Sequence, residues 1–385
     1  MVRDRTDQSS AGFGRGQATT LAIAGILGAA WIGGSVTGKQ RFDPVTGVSP
    51  LVATNVESAA APPTASGISW DLPNLDHDRV DYWVDRFTTS KRDEFTRFLE
   101  RSGRYVPMIS AKLEERGMPQ DLIYLAMIES GFNPKAYSPA AASGLWQFIA
   151  ETGKRYGLDV NRAVDERNDP EKATDAALTY LSELHDRFGS WYLAAAAYNT
   201  GENRVGRIMR EETGSEKGNE RSYYEIWDRL PRETRDYVPL MIAAARIAKE
   251  PQKYGFGEVE LEAPLSYEEV VVDPATPLAA IADAAGVEMT DLKQLNPQLK
   301  LTRTRNDMRS VVRVPSGTRT AFLVNWPKVR EEKTYAVQEY RIRRGDSLLG
   351  IARRHGVTVD AIREANALRG SRIIAGKTLR IPSRG

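Results

Sequence analysis

Cysteine is absent from this chain of 385 residues. Its absence excludes disulfide scaffolds, thiol nucleophiles, thiolate metal sites and a lipid-modified N-terminal cysteine. Histidine is nearly as scarce: His77, His185 and His355 are the whole complement and share no ligand spacing, so no metal site is expected. A dominant charge is missing too. Fifty-three basic against 51 acidic side chains leave +2, which argues against a dedicated nucleic-acid binder. The rest of the composition is that of a soluble globular protein, long enough for two or three domains with real cores.

The exception lies at the front. Arg3, Arg5 and Arg15 precede an uncharged stretch from Gly16 to Gly38 whose centre, Leu21 to Val36, is rich in Ala, Ile, Leu and Gly. Basic residues before an apolar run read as a signal peptide or an uncleaved inner-membrane anchor, arginines inside, over residues 1–38. A clean A-x-A cleavage site is missing, and a buried core helix is the competing reading. On the first reading the remainder is exported to the periplasm or cell envelope, and without cysteine it is not a lipoprotein. Residues 39–74 carry Pro44, Pro50, Pro62, Pro63 and Pro73 among Ser, Thr, Ala and Gly, a linker composition.

From 75 to 257 the apolar spacing is helical. Ala177, Leu178, Leu181, Leu184 and Phe188 form one stripe, and Leu240, Ala243, Ala244 and Ile247 another, so an all-α domain is expected. A helix is expected over Asp121–Glu129, opened after Pro119 and closed at Gly131. On it Leu122, Leu125, Ala126 and Glu129 stand at i, i+3, i+4 and i+7, so Glu129 extends the apolar face. Burial and the negative pole of the helix C-terminus both favour a protonated carboxyl, moving its pKa toward the ~6 that suits a general acid. A structural glutamate paired with a buried arginine would satisfy the same periodicity.

The surrounding motifs weigh on that choice. Glu129-Ser130-Gly131-Phe132-Asn133-Pro134 leads to Gly144-Leu145-Trp146-Gln147-Phe148, and later come Ala196-Ala197-Tyr198-Asn199 and Gly201. Tyr156-Gly157-Leu158, Asp165 through Pro170, and Glu233-Thr234-Arg235-Asp236-Tyr237-Val238-Pro239 complete the set. Over about 100–250 this ordered series resembles the lysozyme-like lytic transglycosylases of glycoside hydrolase family 23, in particular their membrane-bound D type, which cut the glycan of bacterial peptidoglycan. The resemblance implies that Glu129 is the single catalytic acid/base, that Gln147 and Tyr198 line the sugar groove, that Ser138 contacts an N-acetylmuramoyl unit and that Tyr237 lies near the glutamate. Trp146 and Phe148, at i and i+2, cannot both face one groove, so at least one belongs to the core. Asn199 either serves the helix end beside Gly201 or orients Glu129, and Ser130 has the same two readings.

The implied chemistry suits this inventory. A two-carboxylate glycosidase needs a second Asp or Glu opposite the acid. None stands out in the motifs, since Asp165-Glu166 precedes a proline-started helix and looks like capping and salt-bridge material. A lytic transglycosylase does without it: the glutamic acid protonates the glycosidic oxygen between N-acetylmuramic acid and N-acetylglucosamine. The carboxylate then takes the C6 hydroxyl proton as a 1,6-anhydro ring closes, with no metal, cofactor or water.

The C-terminal third carries a repeat. Tyr340–Pro382 reads strand, helix, helix, strand, with Gly345-Asp346-Ser347-Leu348 turning into the first helix, Asn366 ending the second and Ile381-Pro382 closing the unit. This resembles a LysM module, a βααβ fold that binds N-acetylglucosamine-containing glycans. The resemblance places Gly345, Asp346 and Ser347 on one lip of a glycan groove and Asn366, Ile373 and Ile374 on the other. A shift of 70 residues finds a second copy, Leu278 on Leu348, Ile281-Ala282 on Ile351-Ala352 and Asn296 on Asn366, and Val314-Pro315 matches Ile381-Pro382 after allowing three extra residues. That copy has Pro274-Ala275-Thr276 where the other has its Gly-Asp-Ser turn, so a spacer role competes with glycan binding. The expected division is therefore 75–257 catalytic, 265–316 degenerate module, 317–336 linker and 337–385 LysM module. From 336 to 385 there are 11 Lys/Arg against 4 Asp/Glu, either a solvated face or an attraction to an anionic wall.

The expected whole is a multidomain protein, an all-α lysozyme-like domain followed by βααβ modules, with peptidoglycan glycan strands as its partner and no nucleic acid. Two alternatives stand beside the transglycosylase. A lysozyme-type hydrolase would need a second acid, from a loop such as 210–222; a non-catalytic wall-binding scaffold would have no need of Glu129.

Overall fold

The computed structural model of the protein describes residues 69–334 and 337–382. The expected anchor at 1–38 and nearly all of the expected linker at 39–74 lie outside the described residues. Among the described residues no helix is long and apolar enough to cross a membrane.

The first part is helical: α1 Asp78–Thr88, α2 Arg92–Glu115, α3 Ile123–Ser130, α4 Ala150–Arg155, α5 Pro170–Phe188, α6 Trp191–Thr200, α7 Glu202–Thr213, α8 Ser222–Glu225 and α9 Arg232–Lys249. Its helix ends follow local chemistry. Asp169 caps α5 through the amides of Glu171 and Lys172, with Pro170 at the first helical position, and Ser190 caps α6 through the amide of Leu193. Gly131 ends α3 in the left-handed conformation, φ +57°, and a Cβ there would lie 2.0 Å from the Phe98 ring.

α3 runs through the middle of this core. Leu122, Leu125, Ala126 and Glu129 are buried as their spacing predicts, and so are Met127 and Ile128 on the other sides. α3 packs against α2 and α9, and α6 joins α5, α7 and α9. Two charge pairs tie the shell together: Arg79 of α1 meets Asp236 of α9 through two bonds of 2.7 and 2.6 Å, and Lys249 of α9 lies 2.5 Å from buried Asp121.

Two small modules follow. β1 Tyr267–Val272, α10 Leu278–Ala285, α11 Met289–Leu295 and β2 Ser310–Pro315 form the first, with β1 and β2 antiparallel from Tyr267↔Pro315 to Val272↔Ser310. β3 Val337–Arg341, α13 Leu348–His355, α14 Val359–Ala365 and β4 Thr378–Pro382 repeat the order, from Val337↔Pro382 to Arg341↔Thr378. Each has its own core, around Val312, Ile281 and Leu292 in the first and around Ile351, Ile362 and Leu379 in the second. The stretch expected as a linker instead contains α12, Arg319–Thr334, which packs on α10. Phe322 and Trp326, at i and i+4, give that helix an apolar face, and Phe322 is fully buried in the first module's core.

Candidate active site

Glu129 occupies the last turn of α3, buried, with 7% of its surface exposed. Tyr237 comes from the first half of α9, which packs along α3, and its hydroxyl donates to Glu129 Oε1 at 2.5 Å. Burial pushes the Glu129 carboxyl up to about 8; the Tyr237 bond pulls against that rise and the charge of Glu233 adds to it. The direction matches the sequence expectation and the extent exceeds it. A buried arginine partner, the competing reading, is not what the described residues place on Glu129: its partner is a phenol.

Glu233 is the functional candidate that the sequence reading missed as a site residue. It lies on the first turn of α9, half-buried, with its own pKa raised by burial against the opposing effect of Arg204. The signal was available in part, since Glu233 and Tyr237 are four apart and share a helix face. The acids of loop 210–222 are engaged elsewhere. Glu216 pairs with Arg187 at 2.9 Å, and Glu220 accepts from the amides of Trp191 and Tyr192 at the start of α6.

The loop between α3 and α4 lies against the end of the helix that carries Glu129. Ser130 donates to the carbonyl of Leu145 at 2.8 Å, pinning the loop to the helix that carries Glu129. Ser138 is buried and its hydroxyl accepts from the amide of Ala142 at 3.1 Å. Gln147 has φ +48°, a left-handed conformation that costs a side-chain-bearing residue about 1 kcal/mol or more. Its amide donates to Gly144 O at 2.9 Å, which helps to offset that strain. Trp146 and Phe148 both belong to the core, and Trp146 Nε1 donates to Thr174 of α5 at 2.9 Å.

Tyr198, on α6, donates its hydroxyl to the Trp146 carbonyl at 2.7 Å and is buried against Tyr180 and Phe148. Burial first, and the neighbouring Glu129 second, hold its pKa well above the ordinary phenol value, so it stays a neutral donor. Asn199 accepts from the Thr234 hydroxyl at 2.8 Å and so joins α6 to the α9 turn that carries Glu233; among the described residues, that is the bond its side chain makes, rather than one to Glu129 or to the helix end. Glu129, Tyr237, Tyr198, Gln147 and Asn199 thus stand on three helices, α3 and α6 each packed on α9, and on one loop. What they offer is a protonated carboxyl, neutral at neutral pH, beside neutral hydrogen-bonding groups.

The loop has a rigid back. Arg167 pairs with Asp165 at 2.7 Å, both buried, and donates to the carbonyls of Ala141 and Phe148. Asn168 accepts from Ser143 at 2.7 Å, and a Cβ on Gly144 would lie 1.7 Å from the Arg167 carbonyl oxygen. Asp165 also accepts from the Arg167 amide and Glu166 pairs with Lys172 at 2.5 Å, as capping and salt-bridge material should.

Residues 107–220 match the family model described as transglycosylase SLT domain. Residues 266–330 match that of the lytic transglycosylase MltD, LysM-like domain, and 340–382 that of the LysM domain. The chain carries an SLT domain followed by two LysM-type modules. The SLT match takes in Glu129, Ser138, Gln147, Tyr198 and Asn199 and stops short of Glu233 and Tyr237. Among curated proteins, the membrane-bound lytic murein transglycosylase D of Escherichia coli (strain K12) is 33% identical over 294 residues, 73% of this chain and 64% of that protein. This chain therefore spans a little under two thirds of that relative's length. The soluble lytic murein transglycosylase of the same strain is 29% identical over 139 residues, 35% of this chain and 20% of that one. The crystal structure of the 70 kDa soluble lytic transglycosylase from Escherichia coli aligns with 46% of this chain and 29% of that chain at 23% identity and a TM-score of 0.35.

In the second LysM-type module, Asp346 accepts from the Tyr340 hydroxyl and the Arg343 amide, both at 2.8 Å, and pairs with Arg354 at 2.5 Å. The backbone bond from Arg343, then Arg354, hold its pKa down at about 2. Ser347 caps α13 and Gly345 turns the loop at φ +90°. Asn366 donates to the carbonyls of Ile362 and Arg380 and accepts from the Arg380 amide, clasping α14 to β4. Asn296 makes the same three bonds in the first module, to Leu292 and Arg313. Of the two expected lip isoleucines, Ile374 is the more open to a ligand, 59% exposed, and Ile373 is half-buried.

Proposed function

We propose that this protein is a lytic transglycosylase of peptidoglycan, with Glu129 as acid and then base and the second LysM-type module as its wall-binding part. The observation that carries the reading is a buried carboxyl pushed up to about 8 and held by a neutral phenol in an SLT domain. Such a group is protonated at neutral pH and ready to give its proton. In the reaction it protonates the oxygen linking N-acetylmuramic acid to N-acetylglucosamine, and the C1–O4 bond breaks. The carboxylate then takes the proton of the C6 hydroxyl while that oxygen bonds to C1, closing the 1,6-anhydro ring. The proton returns to Glu129 and no water is consumed. Ser138, Gln147, Tyr198 and Asn199 shape the groove wall in this reading, and Tyr237 positions the carboxyl. Gly345, Asp346, Ser347, Asn366, Ile373 and Ile374 belong to the glycan-binding end of the second module. The protein acts in the cell envelope, held to the inner membrane through residues 16–38.

One observation favours a hydrolase instead: Glu233 is a half-buried second carboxyl whose charge reaches Glu129. Mass spectrometry of the products from purified peptidoglycan separates the two. Anhydro-muropeptides from the wild type and none from Glu129→Gln support the transglycosylase. Reducing-end products, lost on Glu233→Gln, make it a hydrolase. Intact sacculi with the protein still bound would leave a scaffold.

A further inference from the structure

The two LysM-type modules share a fold and differ at the end where a glycan groove would open. In the second module, among the described residues, the loop before α13 is bonded to the loop before β4 only beside the strands, Ile342 N to Lys377 O and Gly376 N to Ile342 O. In the first module the matching loops are stitched together along their length. Ala275 N donates to Arg305 O at 2.7 Å, Thr304 N to Thr276 O at 2.8 Å and Leu278 N to Thr302 O at 2.9 Å. Thr276 N donates to Thr304 Oγ1 at 3.0 Å, and both threonines are buried. A shift of 70 residues puts Thr276 on Asp346; past Asn296 the first copy carries three extra residues, so Thr302 to Arg305 fall on the segment 369–375 that holds Ile373 and Ile374, and the stitched loops are the two expected lips.

The closed end is turned to use on the SLT domain. Asp165 N donates to Gln298 O and Lys300 N to Ala163 O, at 2.9 and 3.0 Å, a short antiparallel pairing about Val164 and Leu299. Arg305 pairs with Asp159 at 2.8 Å. Arg313, in the middle of β2, reaches Asp169 at 3.0 Å and Glu171 at 3.4 Å with its guanidinium over the Tyr267 ring, and Arg313 and Asp169 are both buried. Tyr267 donates to Glu171 at 2.5 Å. The segment so gripped, Asp159 to Glu171, is the one whose other side backs the groove wall. It includes Arg167 under Ala141 and Phe148, Asn168 under Ser143, and Asp169, the cap of the helix whose Thr174 holds Trp146.

We propose that the first LysM-type module is a brace for the substrate groove and not a glycan-binding module, with Arg313 as a positioning residue that acts through Asp169 on the loop bearing Ser138 and Gln147. Removing Arg313 leaves Asp169 buried without its charge partner, which loosens the segment from outside the groove. The groove's role is taken from the transglycosylase reading; the brace itself is testable without substrate.

Amide hydrogen exchange on the full chain decides it. In Arg313→Ala, exchange over 141–148 and 160–169 is expected to rise about tenfold or more while α9 is unchanged, with partial recovery in Arg313→Lys. On soluble glycan strands the same variant raises KM by about fivefold with kcat within about twofold. Unchanged exchange over 141–148 overturns the brace, and so does acceleration spread evenly across the SLT domain. Should Arg313→Ala not fold, Arg305→Ala at the rim of the interface is read on the same segments by the same criteria. In a second arm, a β-1,4-linked tetramer of N-acetylglucosamine is added to the wild type. No protection at 273–277 and 301–305 is expected, and protection there overturns the closed groove. A wild type without turnover would remove the transglycosylase reading and leave both exchange results standing.

Discussion

The Tyr237 hydroxyl donates to Glu129 Oε1 across a fully buried contact between α9 and α3, 108 residues apart in sequence. That bond favours the carboxylate, whereas burial and Glu233 favour the acid, and burial prevails. The tyrosine thus restrains a rise that its own helix, through Glu233, helps to produce.

The two helix neighbours should move the pH–rate profile in opposite directions. A group that must be protonated to act loses activity as pH rises through its pKa, so the alkaline limb of the wild type is expected near pH 8. Tyr237→Phe removes the bond that lowers the pKa, so the limb moves up, with kcat reduced by about tenfold or more as the carboxyl loses its fixed position. Glu233→Gln removes a charge that raises it, so the limb moves down. Initial rates on soluble glycan strands between pH 5 and 10 read both; shifts of the same sign would refute the coupling.

Stability should respond to the same carboxyl. Its folded pKa, about 8, lies above the ordinary 4.5, so the native state holds a proton that the unfolded chain releases between those values. The contribution is whole below about pH 4.5 and is lost progressively as pH rises toward 8. Glu129→Gln keeps an acceptor for Tyr237 and has no charge to release. It is therefore expected to be more stable than the wild type by on the order of a few kcal/mol near pH 8, the gap closing toward pH 4. Urea unfolding at several pH values measures it, and a gap independent of pH would show that Glu129 is not buried as an acid.

Much of this site was legible from spacing alone. The i, i+3, i+4, i+7 series placed Glu129 against the core, and the 70-residue shift found the repeated module that β1–β2 and β3–β4 bear out. What spacing could not convey was the environment on the far side of each residue. Met127 and Ile128 lie off the predicted stripe and are buried all the same, because α3 packs against both α2 and α9. Glu233 acts on a carboxyl 104 residues away, and Arg313 is paired with Asp169, 144 residues away, a partner that no local pattern supplies. Over 317–336 the sequence leads to a linker and the structure has α12, because the Phe322–Trp326 pair that docks it gains its meaning only from the first module's core.

Gly144 should tolerate no side chain. Its φ is +85° and a Cβ would stand 1.7 Å from the Arg167 carbonyl oxygen, which is backbone and held by the Asp165–Asn168 turn. Gly144→Ala is expected to cost about 3 kcal/mol or more, since both the conformation and the space oppose it. The loss should appear as a lowered thermal midpoint of the SLT domain, with the second LysM-type module, which has a core of its own, melting as before. A midpoint unchanged in the variant would mean that the loop can move off its backing at little cost.

In the second module two substitutions should separate folding from binding. Asn366 makes three bonds to the backbone, at 2.8, 2.6 and 2.7 Å, and no other residue type offers two donors and an acceptor in that shape except at greater length. Asn366→Ala is expected to cost about 2–4 kcal/mol, enough to unfold a unit of this size and to release the protein from sacculi. Ile374 is mostly exposed, so Ile374→Ser should leave the fold intact and weaken sacculus binding by about tenfold at most. Neither change should alter turnover of short soluble glycans, because Glu129 lies in another domain with a separate core. Pull-down on purified sacculi together with a soluble-substrate assay distinguishes the cases. Sacculus binding undiminished in both variants would place the wall contact elsewhere, and the basic surface of the same module would be the next to neutralise.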